Sequence, residues 1–115
     1  MMMNMHEMKS HIYNIDGKIA KSDERYEVFD NTKLDNLVLS STNLHAEQYT
    51  SGHTHEGQEE VYYFVDGHGV MWLDDDAFPV RNGDVVQIPD GVFHRVKAGA
   101  AGLYFVCVFE GSRNH

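Results

Sequence analysis

The sequence predicts an all-β sandwich or barrel, on three observations. Runs rich in β-branched and aromatic residues recur along the chain, turn-forming residues separate them, and no segment sustains apolar residues at helical spacing. The expected strands cover residues 26–30, 37–41, 44–50, 61–65, 70–73, 78–80, 85–88, 94–97 and 103–109. About nine short strands at this spacing suit two packed sheets or a closed barrel.

The separators follow in order. Thr42-Asn43 and Ser51-Gly52 bound the third run, and Asp66-Gly67-His68-Gly69 divides the fourth from the fifth. Asp74-Asp75-Asp76, Arg81-Asn82-Gly83-Asp84 and Pro89-Asp90-Gly91 come next, and residues 98–102 read Ala-Gly-Ala-Ala-Gly. Asn82-Gly83 is the strongest tight-turn signal, because both residues tolerate left-handed backbone. The charge-rich stretch 16–25 carries the only expectation of a helix, the alternatives being a solvated arm or a segment that crosses to a partner. We expect one domain, with residues 1–35 as an N-terminal arm with edge strands and 36–115 as the barrel.

Composition narrows the function. The 115 residues hold 9 Lys and Arg against 18 Asp and Glu, a formal charge of -9. Nucleic acid and anionic membrane surfaces would repel such a chain, so neither is an expected partner. No apolar run approaches the roughly 20 residues of a membrane span, and the methionine-rich start lacks the apolar region of a signal peptide. The one cysteine, Cys107, forms no intrachain disulfide and sits in an apolar run, as expected of a core thiol in a reducing, cytoplasmic setting. Eight histidines are the unusual feature, and metal binding, proton transfer and pH sensing are their common uses.

Position separates these uses. His53 and His55 stand two apart, so a strand presents both imidazoles on one face, as two adjacent metal ligands require. Glu59 and Glu60 then precede the apolar run Val61 to Val65, where a carboxylate is costly unless paired or bound to metal. The segment Glu56-Gly57-Gln58 can turn one of the two back beside the histidines. Farther on, the Pro89-Asp90-Gly91 turn fixes where His94 points at the start of the next strand.

Together these segments resemble the cupins. The chain reads His53-x-His55-x4-Glu60-x6-Gly67 and then Gly83-x5-Pro89-x-Gly91-x2-His94, which follow the two cupin motifs. Glu47 stands where the family has a glycine and Ala98 where it has an asparagine. The resemblance implies a double-stranded β-helix, or jelly-roll, barrel holding one divalent metal on His53, His55, Glu60 and His94. Its spacing selects Glu60 over Glu59. Three imidazoles and a carboxylate suit Mn, Fe, Co, Ni, Cu or Zn without choosing among them, and on an octahedral ion they leave two positions for a ligand.

Strand parity extends this reading. If Glu60 points inward, so do Tyr62 and Phe64; if His53 does, so do Ser51 and Tyr49; if His94 does, so do Val96 and Ala98. Tyr62 and Tyr49 are therefore the candidate catalytic groups. Arg95 and Lys97 should point outward, leaving few cations inside, although Lys33 or Arg25 could cover the mouth. His45 and His68 are expected to be solvated, and Trp72 and Phe78 to be core or interface. The expected function is metal-dependent isomerase or lyase chemistry on a small polar organic acid or sugar, with dioxygenation as a further possibility. The alternative is a non-catalytic small-molecule-binding module. A homodimer is expected, because an open sheet edge favours pairing.

Overall fold

A computed structural model of the chain describes residues 5–54 and 56–111. A short 3-10 turn, Met5–Met8, precedes seven strands: β1 (Lys18–Ser22), β2 (Tyr26–Asn31), β3 (Leu37–Leu44), β4 (Glu60–Leu73), β5 (Asp76–Arg81), β6 (Val85–Ile88) and β7 (His94–Glu110). They pair in the order β1-β2-β3-β7-β4-β5, all antiparallel, and β6 also pairs with β4. The architecture is the all-β jelly roll that the sequence leads one to expect.

Two long strands organise it. The start of β4, residues 60–64, pairs with the end of β7, and residues 69–73 pair with its start. Between these halves the register slips twice, between Phe64 and Asp66 and between Gly67 and Gly69. Such bulges increase local twist and bend a ribbon. The β4–β7 ribbon thus serves two layers: one completed by β3, β2, β1 and β6, the other by β5 and residues 48–53. β5 and β6 together line the whole of β4 as one interrupted strand.

Two expected turns are therefore strand. Residues 66–69 and 98–102 belong to β4 and β7, because their glycines let two backbones meet. A Cβ on Gly67 would overlap the Gly102 carbonyl oxygen, and one on Gly69 would overlap that of Lys97. Thr42-Asn43 likewise lies within β3, and the strand expected over 44–50 reduces to the end of β3 plus a bridge between Tyr49 and Lys97. The helix expected within 16–25 is β1 and a turn, since pairing with β2 outweighs a weak local preference. That turn closes through Asp23, whose amide donates to the Tyr26 carbonyl and whose carboxylate accepts from the Arg25 amide.

The inner faces of the two layers meet in one core. Leu44, Phe64 and Met71 are fully buried, joined by Tyr26, Val28, Val80, Ile88, Val96 and Phe105. Phe64 and Phe105 pack at 5.4 Å between ring centroids, and Tyr62 stacks on Phe105 at 5.1 Å. Cys107 is buried in this core, as expected.

Candidate metal centre

The strands bring polar side chains to one end of this core. Glu60 opens β4 on its inner face, followed at the expected alternation by Tyr62 and Phe64. Glu59 is exposed. His94 opens β7 in the opposite layer, with Val96 and Ala98 buried on the same face. Glu60 is 4% exposed and His94 2%. Across the gap the Glu60 Oε1 and His94 Nε2 atoms are 3.4 Å apart.

His53 reaches the same place by backbone pairing. Its amide donates to the His94 carbonyl at 3.0 Å, and the His94 amide donates back at 2.9 Å. A reciprocal pair of this kind sets two side chains on the same face of a ladder. Their ring centroids lie 6.1 Å apart. His55, the fourth expected ligand, lies outside the described residues.

The loops before Glu60 and His94 are fastened to one another. The Gly57 amide donates to the Asp90 carboxylate at 2.7 Å, which joins the loop before Glu60 to the turn before His94. In that turn the Val92 amide donates to the Pro89 carbonyl, and Gly91 takes a φ of 79°, as its position requires. The Phe93 amide donates to the Asp74 carboxylate and the Asp74 amide donates to the Phe93 carbonyl, fixing the entry into β7.

A cavity of ≈ 40 Å³ lies at this end of the core. His53, Glu60 and Tyr62 line it, with Lys21, Tyr26, Thr50 and Cys107 among the remaining groups. The Tyr62 ring stands edge-on to His94 at 5.9 Å. Tyr49 does not reach the cavity. It is 37% exposed, lies 6.2 Å from Trp72, and carries the Arg95 guanidinium 4.1 Å above its ring. Ser51 is exposed as well and accepts a hydrogen bond from Arg25. Parity fails between His53 and Tyr49 because Gly52 has a φ of 80°, which breaks the alternation; Thr50 takes the inward place.

Other expectations fare unevenly. Arg95 and Lys97 lie outside, as expected, against Tyr49. Lys33 is held by Asp16 and the Glu7 carbonyl and does not cover the mouth. Arg25 donates to the Tyr26 hydroxyl at 3.0 Å while paired with Asp23. His45, expected to be solvated, is hydrogen-bonded to the Glu24 carbonyl and the Glu27 carboxylate. The hydrogen bond that its ring donates to the Glu27 carboxylate is the main cause that raises its pKa. Lys21 had no sequence signal, because its direction depends on a bulge that only strand pairing creates.

The donor chemistry fits a divalent ion. His94 Nδ1 lies 3.2 Å from the Val92 carbonyl. When Nδ1 donates there, Nε2 presents a lone pair toward the Glu60 carboxylate. Two buried acceptors facing each other require a proton or a cation between them. A buried carboxylate with imidazoles suits borderline divalent ions. Among the described residues no three His, Cys, Asp or Glu side chains are drawn together closely enough to form a finished metal centre.

Comparisons with known proteins agree with this architecture. The family described as Cupin domain matches residues 42–109. An uncharacterised protein of Methanocaldococcus jannaschii is 38% identical over 56 residues, 48% of this chain and 45% of that protein. An acireductone dioxygenase of Picosynechococcus is 36% identical over 58 residues, 46% of this chain and 32% of that protein. The matches thus span less than half of each relative. In structure the chain is similar to KdgF from Halomonas, with a TM-score of 0.77 and 16% identity over 92% of this chain and 96% of that one, a likeness of fold.

Proposed function

The chain belongs to the cupin domain family, and from that premise we propose that it is a small metal-dependent enzyme acting on a small polar organic acid or sugar. The observation that carries this reading is the Glu60–His94 pair, almost wholly buried and 3.4 Å apart beside a cavity that His53 also lines. The proposed ligands are His53, His55, Glu60 and His94, with His55 assigned by its place in the sequence motif. When bound, a divalent ion would supply Lewis acidity at a ligand oxygen.

The remaining roles fall to the protein. The Val92 carbonyl orients the His94 ring. Phe64 and Phe105, both almost fully buried, exclude water from the inner side. Tyr62 is the proposed proton donor or acceptor, since it lines the cavity and stands beside His94. Tyr49, a candidate from sequence, has no part in this proposal. Isomerase or lyase chemistry is preferred. Dioxygenation is the second reading, favoured by the match to acireductone dioxygenase. The proposal includes a cytoplasmic homodimer, which sedimentation of the purified protein would test.

Elemental mass spectrometry of the tag-free protein tests the central claim. We expect one divalent metal per chain, lost in His53→Ala and in Glu60→Gln while the fold is kept. Iron would direct assays toward dioxygenation, and manganese, nickel or zinc toward isomerases and lyases. No metal after reloading at neutral pH would overturn the enzyme reading in favour of a non-catalytic binding module.

A further inference from the structure

The strand β1 carries a device that the proposed chemistry does not yet use. Ile19 pairs with Phe29, and both face outward, Ile19 being 59% exposed. Simple alternation would put Lys21 on that same outer face. Instead the register slips at Ala20, an extra residue with no partner in β2, and Lys21 pairs with Val28. Val28 is a core residue, 5% exposed. The bulge thus turns a lysine from the outer to the inner face of the sheet, where it lines the cavity with His53 and Glu60. Bulges that re-aim a side chain gather near functional sites.

We propose that Lys21 is the residue that recognises a carboxylate on the ligand, so that the substrate class is a small organic acid rather than a neutral sugar. This deepens the metalloenzyme reading and rests on it. Among the described residues the charged groups lining the cavity are Lys21 and Glu60. A divalent ion on Glu60 and neutral imidazoles would leave a positive site, and Lys21 lines the same cavity. That field suits an anion. One ammonium matches one carboxylate, whereas a phosphate is usually clamped by several cations or a bidentate arginine. The cavity volume of ≈ 40 Å³ gives room for about three water-sized groups, which restricts what enters fully to a compact ligand.

Glycolate and its neutral isostere glycolamide test this, titrated calorimetrically into the manganese-loaded and the metal-free protein. Wild type should prefer glycolate, and Lys21→Met should narrow that preference by about tenfold, the worth of one charge-assisted hydrogen bond, while binding manganese as wild type does; Lys21→Arg should keep it. A Lys21→Met protein whose preference matches that of wild type overturns the proposal. So does one whose manganese affinity changes while its glycolate preference does not, since Lys21 would then only balance the Glu60 charge. If wild type binds no manganese, the metalloenzyme reading fails by itself, and the same comparison on the metal-free protein decides the role of Lys21.

Discussion

The cavity has two kinds of wall. On the β4–β7 side the alternation of side chains runs without fault through Glu60, Tyr62 and Phe64 and through His94, Val96 and Ala98. On the side formed by β1 and residues 48–53 it is broken twice. The bulge at Ala20 brings Lys21 inward, and the left-handed Gly52 leaves Tyr49 outside. A continuous ladder transmits direction from one known inward residue to all the others two positions apart. One extra residue or one positive φ inverts everything beyond it. The first wall holds position by many hydrogen bonds, and the second places single residues by local exceptions.

The continuous wall should be the less tolerant of change, and Gly69→Ala probes it most severely. A methyl group there would overlap the Lys97 carbonyl oxygen, an atom fixed by the β4–β7 ladder. Relief requires the two long strands to separate locally. We expect a loss of about 3 kcal/mol, read as a lower denaturation midpoint at unchanged slope. A variant within about 0.5 kcal/mol of wild type would mean that the ribbon yields easily and does not organise the barrel.

Gly52→Ala probes the interrupted wall, with a smaller expected effect. The residue has a φ of 80°, and its methyl group would lie 2.8 Å from the Phe93 ring, the free end of a side chain. The expected loss is about 1–2 kcal/mol. Because Gly52 immediately precedes His53, metal affinity should fall as well. Stability lost at unchanged metal affinity would show that Gly52 shapes the loop without aiming His53.

The same contrast explains how much was legible in the sequence. Glu60 and His94 are picked out by the motif spacing and Tyr62 by its parity with Glu60, which holds because these runs, rich in β-branched and aromatic residues, form strands with no bulge at that end. The all-β class followed from the same signal. The glycines of 66–69 and 98–102 were misleading, since a glycine that lets two backbones touch has the same letter as one that makes a turn. The inward parity expected of Tyr49 fails, and Lys21 carries no sequence signal, for another reason. Their directions depend on Gly52 and Ala20, and nothing in either residue type announces whether the alternation continues past it. The cations expected near the mouth are Arg25 and Lys33, whereas the lysine that lines the cavity is Lys21, on the edge strand β1.

The smallest predicted effect separates the two walls by pH. His45 follows directly on β3, where its amide donates to the Arg25 carbonyl and its ring contacts the Glu24 carbonyl and the Glu27 carboxylate. It therefore clamps the start of the interrupted segment to the β1–β2 turn. The Glu27 hydrogen bond raises its pKa above the ordinary 6.5, helped by the Glu24 carbonyl and opposed by desolvation. A histidine with a raised folded-state pKa contributes stability that is fully present below its unfolded value and disappears as pH rises through the folded one. Wild type should thus exceed His45→Gln in stability at mildly acidic pH, and the two should converge at alkaline pH. Hydrogen exchange should locate the difference in residues 23–27 and 45–50 and leave the β4–β7 ribbon unchanged. A pH-dependent difference spread evenly over both walls would show that the interrupted segments do not open independently of the ribbon, and the division between them would not hold.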